Sequence, residues 1–312
     1  MATPAALPPL PFNPSRVRSY LVRLPLFTRL VLLVILAFWL LELQTMWSVV
    51  QWGALIPDEI NLGTSTSSPQ LTTYCLGLDL DLGSLTDWRN LVYRLNTYPL
   101  IHTGFFHALL NALALTPLLE RFEAEHGTLT AIALFVGPLS TFPAAIYLLI
   151  EKVILHSNTS VVGSSIWVFL LLGSEAIRTY KSNPHFSIGF YGISADHFIS
   201  LGPYKIPTWT SPLFACVVLS ILVSNVSFLG HLCAILIGYL FGLGYLKFLV
   251  PPEKILRWIE GKLNLLGRLP HYISVDQKTF GRYGVLPSSN NAANGNNGTP
   301  MSFLGTNQRL GA

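Results

Sequence analysis

Residues 160–178 read SVVGSSIWVFLLLGSEAIR. A glycine and two adjacent hydroxyls, Gly163-Ser164-Ser165, open a run otherwise fit for a hydrocarbon interior. A bilayer-crossing helix asks for roughly 20 mostly apolar residues, so this run is of spanning length. Its polar opening has two explanations. Serine is a favoured helix N-cap, and the pair could do no more than satisfy first-turn N–H groups. Alternatively, one hydroxyl is a nucleophile and the glycine shapes the backbone around it.

The rest of the chain supplies the context. It has 312 residues, 51% hydrophobic and only 11% charged, and its mean hydropathy is +0.50. Soluble domains carry about 25% charged residues, so this composition predicts a membrane protein. Six apolar segments are long enough to span: 26–43, 103–119, 129–150, 162–178, 209–224 and 229–250. The expected fold is therefore all-α and polytopic, with the bilayer as solvent for the helix exteriors. The first segment lies too late in the chain to be a cleaved signal peptide, and no small-residue cleavage site follows it. A net charge of +4 is too small and too dispersed for nucleic-acid binding.

Charge asymmetry sets the expected orientation. Arg16, Arg18 and Arg23 precede the first segment without an acid among them, which places the N-terminus in the cytosol by the positive-inside tendency. Six spans return the C-terminus to the same side, where Lys247, Lys254, Arg257, Lys262 and Arg268 follow the last segment. The acidic loop 44–98 then faces the lumen. Its apolar stretches MWSVVQWGALI and LTDWRNLVYRL predict short helices lying in the interface.

The chain divides into a Pro-rich, disordered cytosolic stretch at 1–24, a six-span core at 25–250, a cytosolic tail at 251–286, and a low-complexity linker with a terminal motif at 287–312. Within the tail, Ile255, Ile259, Leu263 and Leu266 share one face of a predicted interfacial helix. Cys75, Cys216 and Cys233 form no disulfide framework and are expected as free thiols.

Polar groups inside spans are costly and point to function. The second span begins HTGFFHALLN, with His107 and Asn111 on one helical face at i, i+4. The fourth begins with Gly163-Ser164-Ser165 and the sixth with Gly230-His231. All three spans run in the same direction, so their polar first turns lie at one depth beneath the lumenal surface. Serine needs a base to take its proton, and His231 is the suitable one. First-turn amides with His107 and Asn111 can face a developing oxyanion. Asp196-His197 falls in the cytosolic loop, so no acid orients the imidazole, and a Ser–His dyad is expected. Taken singly, these residues have plainer roles: His231 as an interfacial histidine, Asn111 as interhelical glue worth about 1 kcal/mol, and Gly238 with Gly242 as packing residues.

Together the pattern resembles the rhomboid family of intramembrane serine proteases. The matching elements are Trp88-Arg89 in the first loop, H-x-x-x-N at His107 and Asn111, G-x-S at Gly163 and Ser165, and Gly230-His231 with Gly238 and Gly242 downstream. The resemblance covers about residues 20–250. It implies a six-transmembrane-helix rhomboid fold with Ser165 as nucleophile, His231 as base, and His107, Asn111 and Gly163 around the oxyanion. Gly230, Gly238 and Gly242 would pack helices, and neither metal nor cofactor is implied. Expected partners are the lipid bilayer and single-pass membrane proteins cut at or near their lumenal boundary. Fungal Golgi-type rhomboids are the most similar group, which implies a Golgi (or ER) membrane. Ile166 departs from the family pattern, where glycine is usual, and Cys233-Ala234 replaces the commoner small pair.

The last residues, SFLGTNQRLGA, are similar to the SHP box that binds the N-domain of the valosin-containing-protein-type AAA ATPase, with Phe303, Gly305, Arg309, Leu310 and Gly311 matching. Derlins, rhomboid relatives without the catalytic residues, carry such a box. A non-catalytic adaptor of that kind is the alternative to a protease, and Ser165 with His231 favours the protease. Nothing in the chain resembles a transporter, since no charged pair lies at mid-membrane depth.

Overall fold

The structure, a computed structural model, describes residues 14–44, 46–60, 93–194, 197–223 and 226–279. Helix α1 is Pro14–Arg23 and α2 is Leu26–Glu42, followed by the short α3, Val49–Gly53. Next come α4 (Phe105–His126), α5 (Thr128–Phe135) and α6 (Pro138–Leu148), which continues as a π-helical turn over Leu149–Ile154. Helix α7 is Ser165–Tyr180, α8 is Ser211–Leu222 and α9 is Phe228–Leu243. Past it lie α10 (Glu253–Leu263) and α11 (Leu265–Arg268). The six apolar segments thus fall on α2, α4, α5–α6, α7, α8 and α9. By length and composition, the run Thr128–Ile154 is sufficient alone to cross a membrane, and α9 passes together with the helical run after it across an 87° bend.

Several expectations change. Residues 14–23, placed in a disordered stretch, form α1: Pro14 suits a first helical position and Arg23 complements the C-terminal end. Its Tyr20 hydroxyl donates to Glu120 at 2.6 Å. The last span ends at Leu243 instead of 250, because Gly244 adopts a left-handed φ of +92° and closes the helix with its N–H on Leu240 and Phe241. The region 178–208 carries an antiparallel hairpin, β1 (His185–Ser194) and β2 (His197–Pro207), pairing His185 with Pro207 at its base. The fold is otherwise all-α.

Helix α7 sits at the centre. In a bilayer an apolar helix face can meet either lipid or protein, and α7 meets protein on nearly every side. Ile166, Trp167, Phe169, Leu170, Leu171 and Ala176 are all buried, whereas α2 exposes Leu30, Leu33 and Leu36 and α4 exposes Leu110 and Leu113. Those outward leucines suit acyl chains. The most extensive helix pair is α7 with α9. Glycines set its closeness: a Cβ at Gly238 would overlap the Leu170 carbonyl, one at Gly242 would stand 2.6 Å from the Ser174 oxygen, and one at Gly173 would stand 2.9 Å from the Ile235 oxygen.

At the end of the bundle opposite the Ser165 helix start, Glu123 ties three helices together. Its fully buried carboxylate accepts from Phe27 N and Thr28 N at 2.8 Å, Thr28 Oγ1 at 2.9 Å and Thr128 Oγ1 at 2.7 Å. Residues 271–275 form a strap across this face. Leu26 N donates to His271 O at 3.0 Å, Thr128 N to Ile273 O at 2.9 Å, and Ile273 N to Thr128 Oγ1 at 2.9 Å.

Overpacking a tight helix interface costs about 1–3 kcal/mol. Gly238→Val should therefore lower the unfolding free energy in detergent by that amount or more and shift the midpoint down, while Gly261→Ala, where an added Cβ meets open space, should leave both unchanged. Equal midpoints for the two variants would remove glycine packing from the explanation of this interface.

Candidate active site

The N-terminal ends of α4, α7 and α9 converge. Ser165 begins α7, and its Oγ lies 2.9 Å from His231 Nε2, one turn into α9. The Ser227 hydroxyl caps α9 by accepting from Gly230 N at 3.1 Å, which fixes where His231 emerges. The imidazole rests on Phe169, with ring centroids 4.3 Å apart. Its Nδ1 is buried and has no hydrogen-bond partner among the described residues. Among the described residues, a tilted ring contact with Phe169 and not a carboxylate orients it.

The neighbouring serine is engaged differently. Ser164 makes no side-chain cap to α7. Instead its Oγ and its backbone N both lie 3.2 Å from His102 Nε2, and His102 Nδ1 lies 3.3 Å from Leu100 O. Both Ser164 and His102 are buried. This histidine anchors the backbone just before the helix start.

Gly163 is required on two counts. Its φ of +109° is a left-handed conformation that side-chain-bearing residues avoid, and a Cβ there would stand 2.7 Å from His107 Nε2 and 3.7 Å from Asn111 Nδ2. His107 Nδ1 lies 3.3 Å from Thr103 Oγ1. If that hydroxyl donates, the ring proton resides on Nε2 and faces Gly163. Asn111 uses one amide hydrogen on His107 O at 2.9 Å and retains the second. A serine beside a base, with N–H donors alongside, can perform acyl transfer.

The loop before Ser165 is held from three directions. Gly163 N donates to Tyr98 O at 2.9 Å, and Leu55 and Val161 exchange backbone bonds at 3.0 Å. Thr159 is gripped at both ends: its N donates to Glu151 Oε1 at 3.1 Å and its O accepts from Tyr147 at 2.5 Å. Glu151 is 3% exposed, sits in the π-helical turn and also accepts from Ser157 Oγ. Lys152 reaches the other way, to Ile60 O at 2.7 Å and Pro57 O at 3.2 Å. In the first loop Arg94 donates to Ala54 O at 2.7 Å and Gln51 O at 3.1 Å and pairs with Glu59.

Ser165, His231, His107, Asn111 and Gly163 thus share one site, with Gly230 above it and Gly238 and Gly242 along the α7–α9 seam. Ile166 is buried, and a Cβ at Gly230 would stand 3.3 Å from its Cδ1, so the glycine makes room for the isoleucine between helices. Trp88-Arg89 and the tail residues Phe303, Gly305, Arg309, Leu310 and Gly311 lie outside the described residues, as does Asp196. His102, Glu151 and Arg94 were not singled out from the sequence. His102 opens the same HTGFFHALLN stretch as His107, but it precedes the helix and shares no helical face with it.

Apolar helices wrapped around a buried serine–imidazole pair define a membrane-embedded serine hydrolase. Residues 89–248 match the family described as Rhomboid domain. The chain is 69% identical over 311 residues, the whole of both chains, to rhomboid-type serine protease B of Aspergillus fumigatus. It is 52% identical over 311 residues to rhomboid-type serine protease 2 of Neurospora crassa, covering 99% of this chain and 98% of that one. A rhomboid-type serine protease 2 of Podospora anserina is 48% identical over 320 residues, at 96% and 97% coverage. The chain belongs to the rhomboid family and is a membrane-embedded serine protease.

Hydrogen bonds to charged groups contribute about 1.5–3 kcal/mol each. Glu151→Ala should therefore lower stability by at least about 2 kcal/mol and slow cleavage by freeing the loop before Ser165. Glu151→Gln keeps an acceptor for Thr159 N–H and should recover most of both. Thermal unfolding and cleavage of a model substrate check this, and wild-type behaviour of Glu151→Ala would dismiss the clamp.

Proposed function

We propose that the protein is an intramembrane endopeptidase that cleaves membrane proteins at or near the lumenal boundary through a Ser165–His231 dyad. The observation that carries this is the division of labour between adjacent serines: Ser165 Oγ is 2.9 Å from His231 Nε2, whereas Ser164 is bound to His102. Ser165 Oγ attacks the scissile carbonyl carbon while its proton passes to His231 Nε2. The oxyanion that forms faces the first-turn amides of α7, His107 Nε2–H and the second amide hydrogen of Asn111. The intermediate collapses with transfer of the Nε2 proton to the leaving amine nitrogen. Water then attacks the acyl ester, giving a proton to Nε2, which returns it to Ser165 Oγ as the acid leaves.

Ser165→Ala and His231→Ala should each abolish cleavage of a membrane substrate and, for Ser165→Ala, labelling by a fluorophosphonate, while Ser164→Ala retains most activity. Asn111→Ala should cut the rate by about 10²–10³, the effect of losing one oxyanion donor, with little change in substrate binding. If Ser165→Ala cleaves and Ser164→Ala does not, the assignment within the pair is wrong.

The basic flanks support cytosolic termini, and the likeness to Golgi-type rhomboids supports a Golgi (or ER) membrane. The tail motif supports a second contact. Residues 301–312 would bind the N-domain of a valosin-containing-protein-type AAA ATPase as an extended peptide, with Phe303 and Leu310 as apolar anchors. Direct titration of that peptide tests this: binding lost in Phe303→Ala or Leu310→Ala is the expected result, and no binding by the parent peptide removes ATPase recruitment while leaving proteolysis standing. The adaptor alternative is not favoured, since a protein that only hands on clients has no need of a serine–imidazole pair.

A further inference from the structure

Helix α10 carries features that proteolysis does not use. The run that contains it is bent by 87° from α9, so with α9 crossing the bilayer, α10 lies along its surface. Its core-facing residues are Leu256 and Glu260. Glu260 is not a free charge: it accepts from Tyr272 Oη at 2.6 Å and Val275 N at 2.9 Å. Burial first, and then that carboxylate, push the Tyr272 hydroxyl well above its usual range, so it stays a donor and the strap stays closed.

The other faces of α10 are sorted by chemistry. One i, i+4 row is Ile255, Ile259 and Leu263, with Ile255 and Leu263 half-exposed. The adjacent row is Lys254, Trp258 and Lys262, with Trp258 67% exposed. A third edge is neutralised internally: Arg257 pairs with Glu253 at 3.4 Å and Asp276 at 3.1 Å, and Lys278 pairs with Glu253 at 2.5 Å. Lys278 and then Arg257 hold the Glu253 carboxyl below its usual range. The acids near α10 are thereby spent on the strap side. Among the described residues, Lys254, Lys262 and Arg268 have no ion pair. Exposed Tyr245 and Phe248 at the end of α9, and Leu266 on α11, extend the apolar edge on either side.

We propose that α10 and α11 form a docking face for the anionic headgroup layer of the bilayer, with Ile255, Ile259, Leu263 and Leu266 inserted at the acyl boundary, Trp258 at headgroup depth, and Lys254, Lys262 and Arg268 on lipid phosphates and carboxylates. Interfacial helices bind by apolar insertion plus attraction of basic side chains to anionic lipid, and tryptophan is enriched at that depth. Each basic group near an anionic surface contributes about a fivefold preference, so three together favour anionic over neutral surface by about a hundredfold. Through the Glu260–Tyr272 bond and the Ile273–Thr128 pairing, this face is joined to the ends of α2, α4 and α5. The proposal rests on membrane embedding, not on the dyad or on which end of the bundle is cytosolic.

The full-length protein in nanodiscs tests it, since both leaflets there have one composition. Backbone amide exchange over residues 253–268 should slow several-fold when phosphatidylserine is added to phosphatidylcholine, and salt should reverse the change. The triple variant Lys254→Gln/Lys262→Gln/Arg268→Gln should lose that increment while keeping wild-type exchange in neutral discs and wild-type fluorophosphonate labelling. Trp258→Ser should speed exchange in both lipids. Equal exchange in neutral and anionic discs overturns the proposal, and so does an increment that persists in the triple variant.

Discussion

The closeness of α7 to α9 governs the rest of the structure. Lipid tails are as apolar as leucine, so no hydrophobic force drives two helices together within a bilayer, and packing must hold them. Gly173, Gly238 and Gly242 let backbone meet backbone along this seam. That contact fixes the axial register between Ser165 and His231, and a slip of one helical turn is about 5.4 Å, nearly twice the 2.9 Å that joins them. Gly230 extends the same logic to the end of the seam, where its missing side chain leaves space for Ile166.

Both ends of the bundle are stitched by buried carboxylates that, among the described residues, have no ion pair. Burying a charge is expensive unless hydrogen bonds replace its water. Glu123 receives four donors, two of them first-turn N–H groups of α2, where a negative charge also opposes the helix dipole favourably. Glu151 does the same for the loop before Ser165 with Thr159 N and Ser157 Oγ. Glu123 satisfies first-turn N–H groups of α2 that lack an intrahelical partner. One end thereby locks α2, α4 and α5, and the other locks the approach to α7.

Much of this was legible in the sequence because a membrane imposes simple rules. Long apolar runs gave the helices, and the polar first turns at His107, Gly163 and His231 gave the site, since few other polar groups interrupt those runs. What escaped notice has a common physical cause. His102, Arg94 and Glu151 act from non-helical or irregular backbone, where no period links them to the residues they hold. The strap at 271–275 pairs with Thr128 across some 145 positions of chain, a separation at which neither composition nor spacing carries a signal. Helix α1 was hidden by the prolines around it. The hairpin at 185–207 lies between two apolar spans whose patterning is far stronger than its own.

The proposed dyad, with no acid beside it among the described residues, also makes sense in this setting. In soluble serine hydrolases a buried aspartate fixes the imidazole and balances its positive charge. Inside a membrane-embedded bundle, such a carboxylate would need its own set of donors, as Glu123 and Glu151 have. Phe169 supplies orientation at no such cost, because a ring in tilted contact at 4.3 Å restricts the imidazole while remaining apolar. In the proposed mechanism, the positive charge formed on His231 during proton transfer has no fixed counterion among the described residues. Its nearest compensation is the oxyanion forming at the same moment, so in the proposed mechanism charge separation and its relief lie within one small volume. An arrangement of this kind depends more on the His107–Gly163–Asn111 side of the site than a triad would, and it is there that the backbone is most tightly constrained.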